Sequence, residues 1–376
     1  MKMKGRHGIL ILAISIAGCK KPYNPPVVAN NGSYLVVEGV INSGSTPTTI
    51  TLSRTVNISS NVTINPVTGA TLTVESDQNA VYPLTETGVG NYTSPGLNLD
   101  NARQYRLRIK TSGNEYLSDF VPVNITPPID SIGYNIVSVA DTGIQVYVNS
   151  HNSNTNSRYY RWDYSETWRF HAQYFCMYIS NGSNAFLLRQ PDQWRFYCFS
   201  SDSSSDIVLG SSAKLQDNVI YQNPVVFIPK TSEKIELEYS ILLREYSLTA
   251  DAYTFWTNLK KNTEQLGSIF DAEPSEIAGN VHNTTNADEP VIGYVSVGTV
   301  QSKRIFIRRN DLPGPWVPTT PYSCSIQGVG VQGPSFLYPL PNDFVPMDAA
   351  GSTYTSTECA DCTIRGTQTV PPFWKY

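Results

Sequence analysis

The sequence predicts a mainly β protein in two parts with one amphipathic helix. Three observations carry that expectation. From residue 33 to about 126, short apolar runs of period two recur between Gly, Asn, Asp and Pro. Over 158–171, Tyr160, Trp162, Tyr164, Trp168 and Phe170 fall on one parity, while Arg161, Asp163, Ser165, Thr167, Arg169 and His171 fall on the other. A period of two over that length belongs to a half-buried strand. After Thr249 the period changes, and Ala252, Phe255, Trp256, Leu259 and Leu266 form a helical stripe.

The chain opens with Lys2, Lys4 and Arg6, an apolar run over 8–17, and then small residues before Cys19. A membrane-spanning helix needs about 20 apolar residues, so this order reads as a secretory leader. Ile16-Ala17-Gly18-Cys19 looks like a lipobox, at which bacteria diacylate the cysteine and cleave just before it. Lipidation at Cys19 is therefore expected, with 1–18 as leader and 19–32 as a lipidated tether. Each buried acyl CH2 contributes about 0.8 kcal/mol, and stable anchoring takes more than one chain. Pro22, Pro25 and Pro26 favour an extended tether.

Strands are expected over 34–41, 48–52, 70–75, 81–84, 104–109 and 116–121. In one of them Tyr105, Leu107 and Ile109 alternate with Arg106, Arg108 and Lys110, which is one dry and one wet face. Several short strands at this spacing suggest a sandwich, here 33–126, of immunoglobulin-like or transthyretin-like size. Pro127 and Pro128 close the best linker, 124–128. A larger β-rich domain is expected over 127–376.

Within that domain Glu166 interrupts the aromatic parity. A buried carboxylate is costly unless paired. It reads either as a bulge or an arginine-paired member of a structural network, or as a ligand-contacting acid in an aromatic cleft. Runs 225–228 and 235–248 add strands, with Leu237, Tyr239, Ile241 and Leu243 sharing a parity. Thr249 can cap the helix and Gly267 can end it. Strands follow over 291–297 and 303–308. The tail from Leu312, rich in Pro, Gly and Ser yet aromatic, is expected to lie along the domain.

Hydrophobic residues make up 40% of the 376, with 23 Tyr and 13 Phe, enough for a large core and more than a disordered chain carries. With 27 Lys and Arg against 31 Asp and Glu the net charge is −4, and loss of the leader removes three more positive charges. No basic block is present, so nucleic acid is not an expected partner.

Chemical motifs are sparse. Gly328-Val329-Gly330-Val331-Gln332-Gly333 matches a dinucleotide pattern, but Pro334, Pro339 and Pro341 forbid the helix that must follow it. His151, His171 and His282 sit in no H-E-x-x-H pattern, and no G-x-S-x-G elbow occurs. Acids at Asp271, Glu273 and Glu276, and at Asp288 and Glu289, lack the EF-hand spacing. Cys176, Cys198, Cys324, Cys359 and Cys362 remain after Cys19, an odd number in an exported chain. Cys359 and Cys362 lack the two further ligands of a zinc site. They read as structural disulfide partners, either to each other or to Cys324. No cofactor is expected. Trp162, Trp168 and Trp194 are candidate aromatic platforms for a ligand or an interface.

Tyr239-Ser240-Ile241-Leu242-Leu243, Ala252-Tyr253-Thr254-Phe255-Trp256 and Gly267-Ser268-Ile269-Phe270-Asp271 follow one another in a familiar order. Pro274-Ser275-Glu276-Ile277-Ala278-Gly279-Asn280, Val291-Ile292-Gly293-Tyr294, Lys303-Arg304-Ile305-Phe306-Ile307, Cys359-Ala360-Asp361-Cys362 and Pro372-Phe373-Trp374 continue it. Together they resemble an uncharacterised Bacteroidota family of outer-membrane lipoproteins, of the type called DUF4249. Asn283 departs from its pattern, standing after His282 where the family would have a cysteine. Members are typically encoded beside a TonB-dependent outer-membrane receptor. The resemblance thus implies a non-enzymatic accessory lipoprotein in nutrient capture or transport, held at the outer membrane on its periplasmic or cell-surface leaflet. A stand-alone glycan- or peptide-binding lipoprotein is the alternative, and a surface hydrolase a third reading. Asp130-Ser131-Ile132 fits the pattern at which Bacteroidota O-glycosylate exported proteins, which makes Ser131 a candidate acceptor.

Overall fold

The computed structural model describes residues 33–56, 64–138, 142–153, 157–180, 186–264, 279–314, 316, 319–328 and 343–375. The leader, the tether and Cys19 lie outside the described residues. So do Leu266, Gly267 and most of the glycine run 328–333.

The chain is mainly β, as its alternation predicts. In the first module Leu35–Asn42 pairs antiparallel with Thr48–Arg54, placing Val37 opposite Leu52. A facing sheet is built from Thr71–Ser76, Gln104–Lys110 and Glu115–Ser118. Val81–Gly88 joins the two sheets: its first half pairs with Thr71–Ser76 and its second with Asn91–Ser94. Leu35, Ile50, Leu52, Leu72, Tyr105, Leu107 and Ile109 fill the space between them. The alternating arginines of Gln104–Lys110 point out and clasp Glu75, which accepts from Arg106 and Arg108.

This module is completed by chain from far downstream. Val291–Ile292 and Ser296–Gly298 run parallel to Leu35–Asn42, and Val281–Asn283 pairs with Glu115–Ser118. The sequence boundary at 126/127 assigned these strands to the second domain. Their apolar residues Val281, Val291, Val295 and Val297 instead bury in the first core. Gly293 makes the approach possible: its φ is +151°, and a Cβ there would sit 2.3 Å from the Val37 carbonyl oxygen. The proline-ended crossing is likewise fastened. Thr126 donates its N–H to Thr299 Oγ1 at 2.8 Å, and its own hydroxyl accepts from the Ser247 N–H at 3.1 Å. Tyr34–Tyr376 accordingly forms one compact unit.

Most of the remaining strands stack as a second sandwich, while Tyr178–Ser180 with Phe186–Leu188, and Gln327–Gly328 with Thr353–Ser356 and Phe344–Pro346, form two small separate sheets. One sheet is Ile129–Ser138, Thr142–His151 and Val219–Pro229. The other centres on Tyr159–His171 and Glu238–Leu248, which pair antiparallel from Tyr159 opposite Leu248 to Arg169 opposite Glu238, with Val300–Arg308 beyond. Tyr197–Ser203 and Val208–Ser211 flank Tyr159–His171 on its other side. The even residues Tyr160, Trp162 and Tyr164 face inward against Ile144, Val146, Tyr239, Ile241 and Leu243. Helix Ala250–Glu264 lies on the outer face and buries Ala252 and Phe255. Thr249 Oγ1 caps it by accepting from the Ala252 N–H at 3.1 Å.

Described parts of the tail lie along the second sandwich; of two disulfides, the one to Cys198 on Tyr197–Ser203 staples it there, and the other closes within the tail itself. Disulfides join Cys198 to Cys362 and Cys324 to Cys359. The alternative that Cys359 and Cys362 bond each other is thus not the arrangement found. The two face different neighbours, since Cys359 ends on a helical turn, Thr357–Ala360, and Cys362 opens the next, Cys362–Ile364. Cys176 is free and buried. Trp374 donates to Glu238 at 3.1 Å, and Arg365 pairs with Glu233.

Candidate functional site

Register places a polar strip on the outer face of the large sheet. Asp163 stands opposite Arg244, Arg161 opposite Tyr246, and Ser165 opposite Leu242. One strand further, Arg244 meets Ser302 and Leu242 meets Arg304. Odd residues of Tyr159–His171 must point here because the even ones fill the core. Asp163 Oδ1 accepts from Arg244 Nε at 2.5 Å, and both Arg244 terminal nitrogens donate to Ser165 Oγ at 3.1 Å. The Arg161 guanidinium lies between two rings, 4.7 Å from Tyr246 and 4.3 Å from Trp256. Such stacking favours a partly desolvated cation.

Arg161, Asp163, Arg244 and Tyr246 of this strip floor a cleft of about 980 Å³ between the two sandwiches, whereas Ser165 and Arg304 lie outside its lining. Helix residues Trp256 and Leu259 wall one side, Val37 and Thr49 of the first module the other, and Tyr294 closes an end. Burial opposes the charge on Arg244, but Asp163 outweighs it and holds the guanidinium above its ordinary range. Burial raises the Tyr246 hydroxyl too, with Asp163 adding to it, so both groups keep their usual protonation. The cleft thus offers fixed cations, phenol donors and ring faces, the equipment of a polar small-ligand site.

A second cavity of about 1090 Å³ is lined by Pro122–Pro128, Asp130, His151, Ser157 and Arg158. His151 Nδ1 lies 2.7 Å from Asp130, at a rim where the imidazole is 63% exposed. Ser131 is exposed beside it and accepts from Asn149 Nδ2 at 2.9 Å.

The three tryptophans do not form one platform. Trp162 is 1% exposed in the core and donates to Glu245 at 2.8 Å. Trp168 is half-buried, donates to Glu233 at 3.2 Å, and has Lys234 over its ring. Trp194 is exposed and meets Phe175 edge-on at 5.4 Å. Glu166 is buried away from the cleft, paired with Lys234 and accepting from the Tyr239 hydroxyl at 2.8 Å. It belongs to a structural network, with a lysine where the sequence reading placed an arginine.

Sequence reasoning missed a second buried acid, Glu245, at 0% exposure. It accepts from Ser150 and Trp162, both at 2.8 Å, and burial pushes its carboxyl up to about 7. The signal was present, since Glu245 continues the parity of Tyr239, Ile241 and Leu243. The arginine strip was visible as alternating charge, but its cleft wall comes from chain more than a hundred residues away. Among the described residues no three His, Cys, Asp or Glu side chains group as a metal site needs. Nor is any described helix long and apolar enough to cross a membrane.

No curated protein matches this chain. A solved structure titled "Biofilm associated protein - BSP domain" aligns at 8% identity and a TM-score of 0.15, covering 74% of this chain and 60% of that one. A family model described as "Domain of unknown function (DUF4249)" matches residues 20–304, and the chain belongs to that family.

Proposed function

We propose that this chain is a lipid-anchored outer-membrane protein that captures a small ligand in the inter-sandwich cleft and serves as accessory to a TonB-dependent receptor. The cleft is the observation that carries the capture step. Its floor is a strip of cations and hydroxyls held by cross-strand bonds, and its walls come from both modules. Because late strands complete the first module, the walls stand in fixed register and the site is formed before a ligand arrives. Pre-formed sites avoid the ordering cost of closing around a ligand. The leader ending at Cys19 supports the anchor. The reading is non-enzymatic: binding is what this geometry offers, with no step assigned to any residue.

The experiment is affinity purification of the tagged full chain from detergent-solubilised envelopes, with mass spectrometry of its amino terminus. A diacylated Cys19 and a co-purifying β-barrel receptor are the expected results. An unmodified amino terminus, or a lipoprotein that never travels with a barrel, would overturn the anchor or the partnership respectively.

A further inference from the structure

The small sheet of Tyr178–Ser180 and Phe186–Leu188 carries apolar residues on its outer face. From 174 to 179 burial alternates residue by residue. Tyr174, Cys176 and Tyr178 turn inward, and Cys176 packs with Val345 and Ala360. Phe175, Met177 and Ile179 therefore share the opposite, outward side. Leu187 stands directly across from Ile179, so it joins them there. Trp194 extends the stripe, meeting the Phe175 ring edge-on at 5.4 Å. Phe196, half-buried, supports Phe175 with ring centres 5.3 Å apart.

These five outward side chains are 37–53% exposed. At about 150–250 Å² for a large side chain, they leave roughly 400 Å² of apolar surface in water. Single exposed apolar residues are ordinary, but a contiguous patch of this size marks an interaction site. A two-stranded hairpin is also marginal in water by itself and needs a further layer over its apolar face. Among the described residues no layer covers this one.

The charges beside the patch say what kind of partner fits. Asp192 and Arg195 flank Trp194, one of each sign, and neither forms an ion pair among the described residues. Arg195 donates to the Gln368 side chain and to the Asp192 main-chain oxygen. Arg189 is buried and turned to the main-chain oxygens of Tyr178 and Gln193. A partner strongly charged in either sense would leave Asp192 or Arg195 beside a like charge. A second copy avoids this, because it brings both signs in return and a neutral centre to meet a neutral centre. A stable interface takes about 800 Å² per partner, with an apolar middle and a polar rim. The five side chains supply about half of that as the middle, and Gln190, Asp192 and Arg195 are at hand for the rim. We propose that this patch packs face to face on the same patch of a second copy across a two-fold axis, so that the protein is a homodimer. None of the five lines the inter-sandwich cleft, so the dimer stands apart from the capture reading.

Cross-linking of the full chain in intact envelopes with a short bismaleimide tests this. Leu187→Cys and Met177→Cys place a thiol in the patch, and Val89→Cys places one at a 69% exposed position of the first module. The parent controls for Cys176, which is free and buried. A product of twice the chain's mass is expected from at least one patch variant, in fivefold or greater yield over Val89→Cys. Sedimentation of the full lipidated chain in density-matched detergent is the second measurement. It should show a dimer that dissociates on dilution, and Leu187→Asp should raise the half-dissociation concentration tenfold or more with the circular dichroism spectrum unchanged. No product of twice the mass, an equal yield from Val89→Cys, or a monomer at every concentration would overturn the dimer. A patch variant that cross-links to a different protein would overturn it too. So would L187C and M177C thiols that give no product and are shielded from a water-soluble maleimide until the lipid is dissolved.

Discussion

Glu245→Gln should stabilise this protein, and the gain should depend on pH. Glu245 is buried in the second core with two neutral donors, Ser150 and Trp162, and no cation among its bonds. Burial lifts its carboxyl from 4.5 to about 7. In the unfolded chain the group ionises near 4.5. Between those values the folded form holds a proton that the unfolded form has lost. Stability therefore falls as pH rises through that window. Below 4.5 the acid is neutral in both states and costs nothing. Above about 7 it is ionised in both states and the full penalty applies. The difference corresponds to about 3 kcal/mol at roughly 1.4 kcal/mol per tenfold change in proton affinity. Glutamine keeps an acceptor for the Trp162 N–H and cannot ionise. Denaturant titration of both proteins at pH 4.5, 6 and 8.5, disulfides intact, gives the measurement. The expected result is near-equal stability at pH 4.5 and a gain approaching 3 kcal/mol at pH 8.5. A gap that does not change with pH, or a glutamine variant weaker at pH 8.5, would refute the reasoning.

Lys234→Ala leaves Glu166 buried with only the Tyr239 hydroxyl, so a loss of about 3 kcal/mol is expected, and the double variant with Glu166→Gln should recover much of it in the same titration. The Cys198–Cys362 bond spans 164 residues and Cys324–Cys359 spans 35; on chain entropy their removal costs about 5 and about 4 kcal/mol, so C198S/C362S should lower the thermal midpoint more than C324S/C359S. Gly293→Ala should cost more than about 2 kcal/mol, because both its φ and the Val37 carbonyl forbid a Cβ; a variant as stable as the parent by thermal melting would count against the parallel insertion.

The fold class was legible because alternation is a local signal. Tyr160, Trp162 and Tyr164 turned inward as their parity required, and Thr249 capped the helix it precedes. What stayed hidden was non-local. Val291 and Val297 read as ordinary strand residues and Val281 falls in no expected strand, and nothing near them in sequence shows that their partners are Leu35–Asn42 and Glu115–Ser118. Disulfide pairing emerged only in part for the same reason: the alternative of a bond to Cys324 is found at Cys359, but Cys198 lies far from Cys362, and proximity of Cys359 to Cys362 suggested a bond that geometry does not make. The candidate site was half visible. Arg161 and Asp163 stand on the wet parity of one expected strand and Arg244 on that of another, but a wet face and a cleft floor have the same pattern until the covering chain is placed.

That covering chain also bears on how ligand capture would be transmitted. Strand Leu35–Asn42 contributes Val36, Val37 and Gly39 to the cleft wall, and on its other edge carries the parallel strands that return from the second sandwich. Its amino-terminal end follows closely in sequence on the proposed tether, 19–32. One strand therefore touches the ligand site, the inter-module strand pairing and the run toward the proposed anchor. A ligand that bridged Arg244 to the first module would contact the strand whose parallel pairing Gly293 permits. Hydrogen exchange of the Val36, Val37 and Glu38 amides, measured with and without a ligand in the cleft, is the direct readout. Slower exchange on binding would tie capture to the pairing between the two modules, whereas unchanged rates there alongside protection at Arg244 and Tyr246 would confine the ligand's effect to the second sandwich.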